Sequence, residues 1–430
     1  MSGTPSSPAP RGWCPGALRP MESGDGLIVR LRPRGGAFTT PALRVIADLA
    51  ARYGNGQIDL TRRANLQLRG LRDADLPALW EALSATGLLD ESAEAESVRN
   101  VMVSPLAGLA PDEIADPRPV ARALENRLTS DERLWSLPGK FGFSVDGGGA
   151  FSIANERADI RLQVVTKKGE TTMALGLDRL EGVDWVASTT VDQAATMASA
   201  AAHLFLEMRR TAPQSGEARR LRDLAEADYL ILRTRVASVL PTLACPPLTT
   251  SPDRSLGILE RNGAAFALAM AVPFGRIEAG QLHRLATEET RLGIPQVRLS
   301  PWRTLYAPLI DHGAGDALAA MAAEAGFILD AADPLLAIDA CPGAPGCGRT
   351  HLDTRQAARD LAPHLKRLGV FSCHISGCAK GCARSRAADL VLVGSGDGYG
   401  LNRDATAQES PRAVVPRTQL SRLRHLVETL

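Results

Sequence analysis

The sequence predicts an α+β fold built by duplication. Two β-α-β-α half-modules pair into one pseudo-symmetric sheet domain, and each is followed by a longer α/β block. Three observations predict it. Residue patterns recur at one fixed spacing, strand-like alternation and helix-like periodicity follow in the same order in both copies, and cysteines crowd into the second block. At 430 residues the chain is long enough for several packed cores.

Residues 1–25, rich in Pro, Ser and Gly and without an apolar signal core, are expected to form a flexible arm. The first half-module, 26–90, reads as a strand (Leu27–Arg32), a helix (Pro41–Tyr53), a second strand (Gln57–Leu68) and a helix ending at Gly87. The second, 255–329, repeats this with Ala265–Met270, Gly280–Leu292, Gln296–Tyr306 and a helix ending at Gly326. Gly36 and Gly275, Gly54 and Gly293, and Gly87 and Gly326 all stand 239 residues apart, as do Leu43 and Leu282, Leu60 and Leu299, and Leu66 and Leu305. A constant spacing over the whole unit argues for duplication over chance likeness of Ala/Leu-rich helices.

The first block, 91–240, shows alternating strands at Phe141–Val145, Ala158–Val165 and Thr171–Leu177, then helices near 190–210 and 218–240. Asp146-Gly147-Gly148-Gly149 reads as a hairpin turn. The second block, 330–430, holds the cysteines. At the spacing of 239, Met102 and Gly108 stand where Cys341 and Cys347 stand, so the first copy lacks those thiols. Asp353 or Thr354 can cap a helix running to Leu368. Gly394–Gly400 follows a strand and mimics a dinucleotide loop, but no helix opens after it, so a hairpin turn is the better reading. Thr418–Leu430 has the periodicity of a short amphipathic helix.

A net charge of +1 gives no argument for nucleic acid or a membrane surface. No apolar run approaches the ~20 residues of a membrane span, and a cytoplasmic protein is expected. Arginine is abundant and lysine limited to Lys140, Lys167, Lys168, Lys366 and Lys380. That bias fits genomic base composition; it also fits an anionic substrate, since guanidinium forks suit carboxylates.

Of seven cysteines, five lie between Cys341 and Cys382. Cys341 and Cys347, then Cys378 and Cys382, sit in glycine-rich turns that let the backbone wrap an inorganic core. Four thiolates suit a [4Fe–4S] cluster. Structural zinc is the competitor, but it favours tighter pairs. Cys373 and His374 read as buried neighbours, Cys14 and Cys245 as inert lone thiols. The stretch Gln57–Arg69 alternates, placing Asp59, Thr61, Arg63, Asn65, Gln67 and Arg69 on one polar face, and Arg30 and Arg32 share a face of the preceding strand.

Cys-x5-Cys, followed about thirty residues later by Gly-Cys-x3-Cys-Ala-Arg, resembles the signature of the sulfite and assimilatory nitrite reductase superfamily. The likeness covers nearly the whole chain and implies ferredoxin-like half-modules and a cluster-bearing second block. Leu60-Thr61-Arg62-Arg63-Ala64-Asn65-Leu66-Gln67 resembles the segment with which those reductases grip a macrocycle's carboxylates. Thr61, Arg63 and Gln67 match it residue for residue, while Arg32, Arg99 and Lys140 match other basic residues of that pocket. Two departures matter. The reductases' second lysine falls on Gly142, and their Asn-Gln-Asn triplet falls on Trp302-Arg303-Thr304, which puts Arg303 among the candidate substrate residues. These departures argue against sirohaem.

With Arg11-Gly12-Trp13-Cys14-Pro15-Gly16 and His374–Cys382, the pattern resembles the precorrin-3B synthase family of cobalamin biosynthesis. That resemblance implies a monooxygenase. Its substrate would be precorrin-3A, hydroxylated by dioxygen at the meso carbon between rings D and A, with a lactone formed on the ring A acetate. It implies a [4Fe–4S] cluster, a mononuclear non-haem iron whose ligands are not assignable from sequence, and NADH as electron source. No nicotinamide site is visible in the sequence, so a separate reductase is expected to pass the electrons on. Two alternatives stay open: a sirohaem-dependent sulfite or nitrite reductase, and a non-catalytic metal-bearing tetrapyrrole-binding or electron-transfer protein.

Overall fold

The computed structural model describes residues 14–167, 169–238, 254–396 and 398–416. The arm up to residue 13, Cys245 and the expected helix Thr418–Leu430 lie outside the described residues. The first half contains β1 (Met21–Ser23), β2 (Gly26–Leu31), β3 (Ala37–Thr39), α1 (Thr40–Tyr53), β4 (Gln57–Leu60), β5 (Leu66–Leu71) and α2 (Leu76–Ala85). Its block follows with α3 (Ala93–Val98), β6 (Val101–Val103), α4 (Arg118–Ser130), β7 (Phe143–Asp146), β8 (Ile160–Lys167), β9 (Glu170–Asp178), β10 (Val183–Thr189), α5 (Ala194–Thr211) and α6 (Glu226–Ser238). The second half contains β11 (Gly257–Arg261), β12 (Ala264–Ala271), β13 (Arg276–Glu278), α7 (Ala279–Arg291), β14 (Gln296–Leu299), β15 (Thr304–Pro308) and α8 (His312–Glu324). Its block has β16 (Ile338–Ala340), α9 (Thr354–Leu361), β17 (Cys373–Ser376), β18 (Ala388–Ser395), β19 (Gly398–Ala405) and β20 (Ala413–Pro416).

The half-modules form two five-stranded sheets, ordered β1-β2-β5-β4-β13 and β11-β12-β15-β14-β3. Each takes its last strand from the other half: Ile277 of β13 pairs with Ile58, and Phe38 of β3 pairs with Val297. The exchange begins at Gly36 and Gly275, whose φ of 77° and 72° lies in the left-handed region open to glycine. A Cβ on Gly275 would come within 2.7 Å of the Leu60 carbonyl oxygen. Leu43 and Ile46 of α1 and Leu282 and Leu285 of α7 join one core with Leu60, Leu66, Leu299 and Leu305. The residues that repeat in sequence are those that meet in space.

Two expectations change here. The single strand expected over Gln57–Leu68 is a hairpin, β4 and β5, and its copy over Gln296–Tyr306 is the hairpin β14 and β15. The turn arises because the Thr61 hydroxyl accepts from the Arg63 and Asn65 amides, at 3.3 and 3.2 Å, while Ala64 takes φ 53°. Alternation hides the turn. Ile58 opposes Leu68 and Leu60 opposes Leu66, so residues of equal parity stay on one face across the hairpin. Part of the stretch expected to be an arm up to residue 25 packs on the body: Ala17 is buried, β1 pairs with β2, and Glu96 accepts from the amides of Ala17 and Leu18. A buried carboxylate needs such donors, and the chain supplies them.

The two blocks share one topology. The sheets β6-β7-β8-β9-β10 and β16-β17-β18-β19-β20 each run parallel over their first three strands and antiparallel over the rest. Asp146–Gly149 is therefore not a hairpin turn. It leaves β7 for the parallel strand β8, which needs a longer crossover, and the Asp146 carboxylate organises it by accepting from Gly148 N and Ser152 Oγ. The glycine-rich Gly394–Gly400 segment is a hairpin connection, with Ser395 opposite Gly398. The helix after Asp353 ends at Leu361 and continues only as short 3-10 turns to Leu368. Among the described residues no helix is long and apolar enough to cross a membrane.

Candidate functional site

Parallel strands deliver both cysteine pairs to one end of the second block. Cys341 follows β16 directly, and Cys378 and Cys382 lie in the loop after β17. Cys347 lies in the loop leading to α9, which starts with Asp353 accepting from the Gln356 amide. The Cys341 amide donates to the Ile375 carbonyl at 3.1 Å, and its Sγ accepts from Gly377 N at 3.2 Å. Thr354 Oγ1 donates to the Cys341 carbonyl at 2.7 Å. Arg69 ties this loop to the first half, donating to the Gly346 carbonyl at 3.0 Å while paired with Asp25.

Burial pushes the Cys382 thiol up. Lys380 opposes that shift, and the sulfurs of Cys341, Cys378 and Cys347 add to it, so the other three lie within electrostatic reach of Cys382. No three His, Cys, Asp or Glu side chains among the described residues close around a single-ion position. A cubane binds one thiolate at each of its irons, and four cysteines brought to one end of the block by β16 and β17 fit that requirement. Among the described residues no set of side chains fits the expected mononuclear iron. His374 is fully buried with neither ring nitrogen hydrogen-bonded, and Asp339 opposite it on β16 is taken by Arg62, Arg384 and Arg303 at 3.0, 3.1 and 3.5 Å. Cys373 points into the core.

The matching place in the first block lies two residues off the sequence alignment. β6 and β16 begin at Val101 and Ile338, 237 residues apart, so Ser104, and not Met102, is the counterpart of Cys341. Shorter connections in one copy shift the register after the half-modules.

The basic residues sort into two groups. Arg63, Asn65, Asn100, Gly142 and Arg157 line a niche of about 10 Å³, room for one water or carboxylate oxygen. Arg63 donates to the Lys140 carbonyl at 2.9 Å, and the Lys140 side chain is exposed beside it. Arg30 donates to Gln67 Oε1 at 2.8 and 3.1 Å. Burial pushes the pKa of both Arg30 and Arg63 down, and Arg220 adds to this at Arg63. A Cβ at Gly142 would lie 3.1 Å from Arg63 Nη1, so the guanidinium stands close to the place of the reductases' second lysine.

Arg32 and Arg99 differ from their expected role. Arg32 is buried and donates to Glu96 at 2.7 Å, Asn100 and the Pro15 carbonyl. Arg99 is buried against Asp90 at 2.8 Å and donates to the carbonyls of Arg32 and Pro33. Their donors are spent within the protein, on acids and loop carbonyls that are buried with them. Arg303 likewise turns to Asp339, and Thr61 shapes the hairpin. Sequence reasoning missed Arg157 and Arg220, which follow no alternating pattern. It also missed that Cys14 lies beside Arg30 and Arg63, a long-range contact with no local signal.

Comparison with known proteins agrees with this architecture. Residues 19–86 match the nitrite/sulfite reductase ferredoxin-like half domain, and 94–270 match the nitrite and sulphite reductase 4Fe-4S domain. The second match ends before the four cysteines, on the copy that lacks them. A precorrin-3B synthase of Sinorhizobium sp. is 35% identical over 97% of this chain and 89% of its own length. A ferredoxin–nitrite reductase of Synechococcus elongatus is 27% identical over 88% of this chain and 78% of its own. The structure of Mycobacterium tuberculosis NirA superposes with a TM-score of 0.71 at 21% identity, covering 94% of this chain and 80% of that one, which shows the shared fold. The chain belongs to the precorrin-3B synthase family, within the sulfite/nitrite reductase superfamily of iron–sulfur oxidoreductases.

Proposed function

We propose that this chain is a precorrin-3B synthase. It hydroxylates precorrin-3A at the meso carbon between rings D and A and closes a lactone onto the ring A acetate. The observation that carries the reading is the 35% identity to a precorrin-3B synthase across 97% of the chain. The niche supports it. Arg63, Arg30 and the exposed Lys140 present cations to carboxylates on one side of the first half, while Gln67 and the Thr61 turn hold the two guanidiniums in place. Partly desolvated guanidiniums gain more from an arriving carboxylate than solvated ones do. At the equivalent turn of the second half Trp302 donates to Glu156 at 2.7 Å, so its indole is held as a fixed apolar wall, where the reductases carry an amide.

Cys341, Cys347, Cys378 and Cys382 would hold the [4Fe–4S] cluster, which supplies electrons one at a time. Monooxygenation consumes dioxygen, two electrons and two protons, placing one oxygen atom in the product and one in water. NADH delivers its electrons as a hydride and needs a nicotinamide site with a flavin-type splitter. The Gly394–Gly400 segment is a hairpin and not a dinucleotide loop, which supports a separate reductase as the immediate donor.

The test is aerobic incubation of the purified protein with precorrin-3A and labelled dioxygen, with NADH alone and with an added flavin reductase or ferredoxin. The expected result is labelled product only when the reductase is present. Unlabelled hydroxyl, anaerobic product, or sirohaem bands with sulfite or nitrite turnover would overturn the reading.

A further inference from the structure

A second cavity, of about 240 Å³, opens where the first half-module, the borrowed strand β3, the strand β14 and the start of α4 meet. It shares no lining residue with the niche around Arg63. Arg298 of β14 forms part of its wall and is 1% exposed, with Nε and Nη2 unpartnered. Arg118, Arg122 and Arg34 stand nearer solvent. The nearby acids are already engaged: Asp116 holds Arg118 at 2.7 Å, Asp90 holds Arg34 at 2.8 Å, and Glu113 accepts from the Gly108 amide. Arg122 and Arg298 have no ion-pair partner among the described residues.

The duplication shows what is missing. The counterpart of Arg298, 239 residues earlier, is Asp59. Asp59 accepts from Arg276 at 2.8 Å and Arg69 at 3.1 Å, with Arg355 of α9 at 3.6 Å. Arg118 opens α4 much as Arg355 sits in the first turn of α9. In one copy an acid neutralises a cluster of guanidiniums. In the other, an arginine takes the acid's place; Ala37 and Pro308 stand where Arg276 and Arg69 stand, Arg118 answers to Arg355, and the charge of Arg298 and Arg122 is left in surplus. An unpaired buried cation is costly, and an oxyanion removes that cost while using guanidinium donors in their preferred fork geometry.

We propose that this cavity binds a small oxyanion of the carboxylate or phosphate class, held by Arg298, Arg122 and Arg118. The ion supplies the negative charge that Asp59 supplies in the other copy and joins the two half-modules to the first block. The proposal does not depend on the catalytic reading.

The test is titration of the full-length protein with inorganic phosphate and, separately, succinate, by calorimetry and by thermal shift in a buffer free of other oxyanions. Wild-type protein should bind one equivalent of at least one probe saturably, with a rise in Tm. Exposed Arg122→Ala should keep its fold and weaken binding at least tenfold. Arg298→Met should lose the ion-dependent rise and, in ion-free buffer, match or exceed the wild-type Tm, because a buried unpaired charge has been removed. If the probe competes with the tetrapyrrole, the natural ion is a substrate carboxylate; if the two bind additively, it is a free oxyanion. Either result supports the site. No saturable binding by wild-type protein, or binding unchanged in both variants, overturns it.

Discussion

After β6 and after β16 the chain makes the same move with different atoms. The Ser104 amide donates to the Val145 carbonyl at 3.2 Å, and its hydroxyl accepts from Gly147 N at 3.4 Å. The Cys341 amide donates to the Ile375 carbonyl at 3.1 Å, and its thiol accepts from Gly377 N at 3.2 Å. The hairpin turns repeat in the same way: Thr61 and Ser300 each cap a five-residue turn, but the first presents Arg63 and the second Trp302. The backbone therefore needs only a small hydrogen-bonding side chain at these places. The thiols of the second block and the Arg63 cation on the first hairpin turn are additions that the fold permits and does not require.

That comparison makes a strong prediction. Cys341→Ser installs the residue of the other copy, so the protein should fold with a Tm close to wild type while losing the broad visible absorption of a [4Fe–4S] centre and all turnover. Thiolate is a far better iron ligand than hydroxyl. Cys378→Ser and Cys382→Ser should do the same. Iron and sulfide analysis with visible spectroscopy decides it, and four irons with full activity in these variants would sink the ligand assignment.

The duplication, the order of strands and helices, and the cysteine pairs were legible in the sequence because each is written in local pattern or fixed spacing. Two things were not. The hairpins at Thr61 and Ser300 keep the parity of a continuous strand, so alternation could not reveal them. The destination of an arginine was equally hidden: Arg63, Arg32 and Arg99 all match the same pocket motif, yet only contacts far along the chain, Glu96 for Arg32 and Asp90 for Arg99, decide which guanidinium is spent internally.

The next prediction separates those arginines. Arg99→Met takes the bidentate partner from buried Asp90, leaving it only the exposed Arg34, and should cost about 3 kcal/mol of stability in denaturant unfolding. Arg63→Met removes a group whose internal hydrogen bond goes only to a carbonyl. It should leave the unfolding midpoint nearly unchanged and weaken tetrapyrrole binding by about 1.5–3 kcal/mol, roughly ten- to hundred-fold in Kd. If both variants lose affinity and neither loses stability, the division between structural and substrate-facing arginines is wrong.

The smallest expected effect tests a difference between the paired helices. α1 has Ala50 where α7, 239 residues on, has Glu289. Both are fully buried, and Glu289 has Oε1 unpartnered and Oε2 only 3.4 Å from the Thr40 hydroxyl. Burial pushes the Glu289 carboxyl up from 4.5 to about 8, with the Thr40 hydrogen bond opposing. The folded protein therefore holds a proton that the unfolded chain releases. Below about pH 4.5 both states are protonated and nothing is lost. Between there and about pH 8 the unfolded state is favoured progressively by ionising, so this carboxyl's contribution to stability falls as pH rises. Glu289→Gln keeps the shape and removes the titration. The stability of the variant relative to wild type should improve by about 1–3 kcal/mol from pH 5 to pH 8. Groups elsewhere cancel in that difference, because both proteins carry them. A difference that stays flat across the range would mean that Glu289 is ionised and solvated in the fold, and that α7 tolerates a charge where its twin buries a methyl group.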